Sequence, residues 1–415
     1  MAALDAQTCP ASNRFDPFSA GYMEDPYSIY AAVRAESPAF YAPSIDMWVV
    51  TRARDIDAIF RDPDRFSAAI AQDSVWPLNS ESQQILADGG FAAAPTMSNC
   101  DPPKHGRIRK QNVKAFSARR IRALEDVVQA ETTRLIAEME PKRRADVVAE
   151  LAYPLPAAMI FRLIGFPAAD TEMLKSWTGR RLVFTWGRPR PQEQEAVARD
   201  MVRYWKYCAD FVQSRLADPK NDFTSDLVRA HLEDPDAIAI DEITNVAYGL
   251  SFAGHENLTS LTANSLYQLL SHRDQWEALC ADPGLIPNAV EECIRYDSSN
   301  PAWRRITTEA VEVSGVQIPA NAKVLLLLGA ANRDPAWFDD PERFDVRRSN
   351  AREHIGFGKG IHYCLGAALT RLEVQIVLQH LTTRIPSLRL SPDQRLTYTP
   401  NIAFRGPKQL FVEWD

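Results

Sequence analysis

The feature that most limits what this chain can fold into lies near its end, where residues 354–375 read HIGFGKGIHYCLGAALTRLEVQ. Four glycines, two histidines and one cysteine fall within thirteen residues, and the stretch runs straight into an amphipathic helical pattern. Glycines so spaced before a helix can cradle a phosphate, but a phosphate loop also needs a Lys-Ser/Thr pair, which is missing. Gly356, Gly358, Gly360 and Gly366 instead let the backbone close around one side chain, and the chemically distinctive one is Cys364. At a helix start, unpaired N–H groups and the helix dipole favour the thiolate, which can serve as a nucleophile or a metal ligand. His362 stands two residues away, a poor geometry for a nucleophile and its base across a tight glycine turn. Ligation of one large flat cofactor accounts for more of the pattern, with Phe357 packing beside the sulfur to keep water away.

The rest of the chain narrows the class. Its 415 residues are 46% hydrophobic and 24% charged, enough for a large buried core, and no linker, low-complexity tract or repeat divides them, so one compact unit is expected. A net charge of -7 argues against nucleic acid, which calls for a concentrated basic surface. The N-terminal stretch MAALDAQTCPASNRFDPFSAGY has no apolar run able to act as a signal or membrane anchor, so a cytoplasmic protein is expected. The cysteines, Cys9, Cys100, Cys208, Cys280, Cys293 and Cys364, show no paired spacing for zinc or a redox dithiol.

Strand patterns concentrate around residues 40–52 and 311–330, and nearly everything between reads as helix, broken at residues 187–191, 218–219 and 234–235. The fold class is therefore mostly α with a minor β part assembled from distant pieces. The segment from about Asp241 to Ser271 predicts a long, rather apolar helix interrupted by Gly249, Gly254 and the cluster His255-Glu256-Asn257. A mid-helix glycine costs about 1 kcal/mol relative to alanine. At Gly254 either a ligand approaching the backbone or a tightly packed neighbouring helix would explain it.

Residues 357–366, FGKGIHYCLG, resemble the haem-binding signature of the cytochrome P450 monooxygenases at every defining position. The resemblance extends to Glu292-Cys293-Ile294-Arg295, the family's ExxR pair, and to Pro341-Glu342-Arg343-Phe344, whose arginine in the family completes a buried ion network. It implies the P450 fold for residues 1–415 as one haem-binding domain, with haem b (iron protoporphyrin IX) as cofactor and Cys364 as the axial iron ligand. Phe357, Gly358 and Gly366 are then cofactor-binding loop residues. His105 and Arg109, at i, i+4 in the stretch DPPKHGRIRK, together with Arg305 and His362, are implied to hold the propionates.

By the same resemblance, Ala253-Gly254-His255-Glu256-Asn257 is the oxygen-binding segment, with Glu256 relaying protons to bound O2. Asn257 departs from the family, which carries threonine there. Asparagine has no hydroxyl to act as an acid, so it is expected to orient a water, with Thr259 too far around the helix to substitute.

The resemblance covers almost the whole chain and looks closest to haem domains of bacterial self-sufficient enzymes with a fused flavin and iron–sulfur reductase. No reductase domain is expected in residues 1–415, so the chain is read either as a stand-alone enzyme or as a haem domain excised from such a fusion; electrons would come from NAD(P)H through a ferredoxin or a flavin and iron–sulfur reductase, an acidic carrier docking at Lys110, Lys114, Arg119, Arg120 and Lys359. The implied cavity is lined by residues 69–91, 182–186, 298–302 and 401–404, the oxygen helix completing it; no cluster of charge stands out. A monomer oxidising a small to medium apolar or aromatic substrate by hydroxylation or dealkylation, without membrane or nucleic-acid partners, is therefore expected. Three alternatives stay open: peroxide-driven chemistry prompted by Asn257, a haem protein that binds ligand without turnover, and a helical scaffold without haem.

Overall fold

The computed structural model describes residues 9–415, so the first eight residues of the stretch expected to lack a leader lie outside it. By packing, the chain divides into two compact units. One comprises the residues up to Ala71 with Glu131–Ala152 and Asn257–Asp415; the other is Gln72–Ala130 with Tyr153–Glu256.

All ten strands among the described residues belong to the first unit. They are β1 (Ala39–Ala42), β2 (Met47–Val50), β3 (Phe66–Ser67), β4 (Arg144–Asp146), β5 (Trp303–Thr307), β6 (Val311–Val313), β7 (Val316–Ile318), β8 (Lys323–Leu326), β9 (Arg389–Leu390) and β10 (Phe411–Glu413). The main sheet runs β1-β2-β8-β5-β3; β4-β10-β9 and the β6-β7 hairpin stand apart. Its centre is the parallel pairing of β2 with β8, Trp48 opposite Val324, flanked by antiparallel β1 and β5. Both central strands read as continuous apolar runs, MWVV and VLL, because both of their faces are covered. Val50, Ile56, Phe60, Val324 and Leu326 join one buried cluster that extends to Ile355, at the root of the cysteine loop.

The patterns around 40–52 and 311–330 thus yield β1, β2 and β6 to β8. β5 carries Arg304 and Arg305 in its middle, and β4, β9 and β10 are two or three residues long, too short for alternation to show.

The second unit is helical. Helix Pro154–Ile164 ends at Gly165, whose φ of +101° is the left-handed conformation, and a Cβ there would lie 2.4 Å from the Asp222 carboxylate. Asp222 in turn caps helix Phe223–Glu233, accepting from the Ser225 N–H at 2.7 Å. Helices end at Trp186, Ala217 and Glu233, where the breakers predict. The long helix runs unbroken from Ile240 to Ser271; its residues through Glu256 belong to the second unit and those from Asn257 to the first.

Candidate functional site

Around Cys364 the backbone hydrogen bonds draw a compact loop. Gly358 N–H donates to the Ile355 carbonyl at 2.9 Å, Tyr363 N–H to Gly360 at 3.2 Å and Cys364 N–H to Phe357 at 3.0 Å. Gly358 and Gly360 hold φ of +69° and +66°, and a Cβ on Gly360 would stand 2.3 Å from the Phe60 carbonyl oxygen. No side chain fits there, so the turn must be glycine. Helix Ala367–Arg384 follows with Gly366 as its N-cap, and a Cβ on Gly366 would stand 3.9 Å from the Cys364 Sγ. Cys364 is exposed, whereas Cys100, Cys208 and Cys293 are buried.

The loop is held from beneath. His354 Nδ1 accepts the Gly356 N–H at 3.1 Å, so its proton sits on Nε2 and donates to Glu291 at 3.0 Å. Arg371 grips the same carboxylate through Nε and Nη2, at 2.7 and 3.0 Å, and lies 4.6 Å over the Phe357 ring. Burial works to raise the Glu291 pKa, but His354 and Arg371 bring it down to about 2. The Phe357 ring packs with Arg371, His354 and Tyr363, so it anchors the loop through Arg371.

Glu292 and Arg295 form a bidentate pair at 2.7 and 2.8 Å with both side chains fully buried. Arg295 also donates to the carbonyls of Asn332, Pro341 and Arg343. The arginine completing this network is not Arg343, as the sequence suggests. Arg343 contributes its carbonyl while its side chain is 65% exposed, and Arg348 instead reaches Glu292 at 3.2 Å.

Arg304 and Arg305 are both buried on β5 and, as neighbours in a strand, point to opposite faces. Arg304 donates to the Ala71 carbonyl. Arg305 lies 5.0 Å over the Phe60 ring, the same residue against which the Gly358–Gly360 turn packs. Within the first unit, Arg305, His362, Phe357, Gly358, Gly366 and Cys364 thus belong to one neighbourhood, and Asn257 opens that unit's share of the long helix. The ends of segments 298–302 and 401–404 are joined here, Arg405 N–H donating to Ser299 at 2.9 Å.

His105 and Arg109 lie in the second unit on helix Lys104–Ala115, the first buried and the second partly so. Among the basic residues considered for docking, Arg120 is drawn to Asp226, while Lys110, Lys114 and Arg119 are exposed. On the long helix Ala253 is exposed, and a Cβ on Gly254 would stand 2.6 Å from Ile160 of helix Pro154–Ile164. That glycine is explained on this side by helix packing. Glu256 Oε1 is buried with no hydrogen-bond partner, and desolvation raises the carboxyl pKa to about 7. Asn257 Oδ1 is likewise buried without a partner. His255, held neutral by burial with its pKa lowered to about 3, turns its Nε2–H to the Tyr153 carbonyl at 3.0 Å.

Sequence reasoning passed over Arg181. It begins helix Arg181–Trp186, its guanidinium lies 4.5 Å from the Tyr248 ring and 5.3 Å from that of Phe252, and its Nε and Nη1 are buried without acceptors. The available signal was the pair Arg180-Arg181 directly before the apolar Leu-Val-Phe stretch: Arg180 turns outward to Asp200, and Arg181 is left facing the rings.

Residues 284–394 match the family model described as cytochrome P450. The chain is 37% identical over 401 residues to the cytochrome P450 monooxygenase PikC of Streptomyces venezuelae, covering 95% of this chain and 92% of that protein. It superposes with a TM-score of 0.93 and 39% identity on cytochrome P450 CREJ in complex with (4-ethylphenyl) dihydrogen phosphate, covering 97% of this chain and 99% of the other. An intact type IV self-sufficient cytochrome P450 monooxygenase gives a TM-score of 0.95 at 37% identity over 98% of this chain, which spans 53% of that longer protein. Likeness this high along nearly the whole sequence reflects common descent, and the chain belongs to the bacterial cytochrome P450 family as a monooxygenase, similar to the class whose haem domain is fused to its own reductase.

Proposed function

We propose that residues 1–415 act as one haem-binding domain that inserts one atom of O2 into a small to medium substrate with an apolar or aromatic body. The observation that carries this reading is the loop that sets Cys364 at the head of helix Ala367–Arg384, on a turn that admits only glycine at Gly360. A haem fits these residues: Gly366 leaves the sulfur uncovered on its side, and Cys364 is set on a rigid loop anchored through Arg371 and Glu291. Bound haem supplies an iron whose thiolate ligand favours O–O cleavage.

The chain's own residues do the rest. Cys364 would hold the iron, and Arg305 and His362 would hold a propionate in the same unit; the parts assigned to His105 and Arg109 rest on the family resemblance. Glu256 keeps a transferable proton near neutral pH because burial makes its ionised form costly. The Asn257 amide orients a water through its unpartnered Oδ1. Electrons reach the chain from NAD(P)H through a ferredoxin or a flavin and iron–sulfur reductase. CREJ, which holds an aryl phosphate, supports an aromatic substrate body. No helix among the described residues is long and apolar enough to cross a membrane, and we place a monomeric chain in the cytoplasm.

The carbon monoxide spectrum of the reduced protein tests the assignment: a red-shifted thiolate-type Soret band is expected, and Cys364→Ser should abolish it. A band retained in Cys364→Ser would remove Cys364 as ligand. Asn257 favours a second reading, peroxide-driven turnover. Product labelled from dioxygen when electrons are supplied supports the reductive route, whereas product formed only with hydrogen peroxide, and none with electrons and dioxygen, replaces it.

A further inference from the structure

A guanidinium charge inside a protein is normally matched by a carboxylate, because an unpaired buried cation is costly. Arg181 has no such match. Arg181 is half-buried as a whole, but its Nε and Nη1 are buried without acceptors, and no carboxylate pairs with it among the described residues. Its neighbours are neutral: Tyr248 and Phe252 lie under the guanidinium, Tyr204 and Trp205 pack against Tyr248, and Trp186 stacks on Phe252 at 5.4 Å. Burial raises the pKa values of Tyr204, Tyr248 and Cys208, so none of them supplies an anion at neutral pH. The rings offset part of the cost through cation–π contact, but a ring face accepts no N–H hydrogen bond as strongly as an oxyanion does. A second orphan lies beside the first, since the Tyr248 hydroxyl is buried without a hydrogen-bond partner on a residue only 2% exposed.

We infer that Arg181 and Tyr248 form the anion-recognising end of the substrate site, taking a carboxylate or phosphate carried on an aromatic body. Tyr248, Phe252 and Glu256 follow one another at i, i+4 along one face of the long helix. At about 1.5 Å per residue, roughly 12 Å of helix separates the first from the last, the length of one substituted ring with its end groups. An oxyanion held by the Arg181 fork and the Tyr248 hydroxyl would direct the far end of such a molecule along the helix toward the Ala253–Glu256 segment. The inference rests on the oxygenase reading for what happens at that far end, but the recognition step stands on the second unit's own residues.

Calorimetric titration of the haem-loaded protein at neutral pH tests it, with 4-ethylbenzoate, 4-ethylphenyl phosphate and the neutral 4-ethylbenzamide as probes. The wild-type protein should bind at least one anion about tenfold or more tighter than the amide, and the tighter of the two identifies the headgroup. Arg181→Gln should weaken anion binding about 10- to 100-fold while changing amide binding less than about twofold. Tyr248→Phe, which removes one oxygen and keeps the ring, should weaken anion binding a few fold and spare the amide. Equal loss for charged and neutral probes, or no anion preference in the wild-type protein, overturns the inference. Heat of binding is read whether or not product forms, so anion binding without oxygenated product would count against the oxygenase reading alone.

Discussion

Glu292 carries two guanidinium partners while fully buried, Arg295 at 2.7 Å and Arg348 at 3.2 Å. Removing one member of such a pair leaves an uncompensated charge, so Arg295→Met should cost about 3–5 kcal/mol. Arg348→Ala should cost less, and Arg343→Ala, at an exposed side chain, should stay within about 0.5 kcal/mol. Urea unfolding of the three variants checks the order; an Arg343→Ala loss matching that of Arg348→Ala would sink the assignment. The Glu292–Arg295 pair was legible as two opposite charges three residues apart. The choice between Arg343 and Arg348 was not, because it depends on how the intervening chain turns: Arg343 offers its carbonyl where its side chain was expected. Arg181 escaped notice for a similar reason, since adjacent arginines look alike in a sequence and only packing sends Arg180 to Asp200 and Arg181 among rings.

The long helix shows what a pattern of residues can convey about an element. Its span, Ile240–Ser271, follows from an apolar run uninterrupted by proline, and neither Gly249 nor Gly254 breaks it. The reason for Gly254 lies in a different helix, at Ile160, and no local pattern could reveal it. A methyl group at position 254 would meet Ile160 Cδ1 and Cγ1 at 2.6 Å. Gly254→Ala should therefore destabilise by about 1–3 kcal/mol despite the better helix propensity of alanine. Ile160→Ala should relieve that clash, so the double variant should be less destabilised than the two single losses added together; strict additivity in thermal unfolding would show that the two helices do not press on each other there. Strand β5 marks the opposite limit. Its two central arginines hide its strand character, and it became recognisable only from its ladder with β8.

Across the whole molecule, buried titratable groups set a pH window. Burial raises Glu256 to about 7 and Glu373, buried with Oε2 unpartnered, to about 8, against an ordinary 4.5. The stability they contribute is complete below pH 4.5 and is lost as the pH rises through these values. Burial lowers His255 from 6.5 to about 3, and its contribution, present above 6.5, is lost as the pH falls toward 3. Glu291, held near 2, adds to the acid side below 4.5. Between pH 4.5 and 6.5 two carboxyls oppose one imidazole, so the melting temperature should peak near pH 4.5, fall gently to 6.5 and more steeply just beyond, and decline on the acid side as well. Glu373→Gln should flatten the alkaline decline and leave the acid side unchanged; a wild-type melting temperature as high at pH 8 as at pH 6 would sink this account. The parallel pairing of β2 with β8 has a consequence for biogenesis. Trp48 leaves the ribosome roughly 275 residues before Val324, which at about 5–20 residues per second is a delay of tens of seconds. Throughout that interval an apolar strand paired on one edge alone, with β1, is open to association with other nascent chains, so the yield of this protein in a cell should depend on how quickly translation proceeds and on which chaperones shelter its first fifty residues.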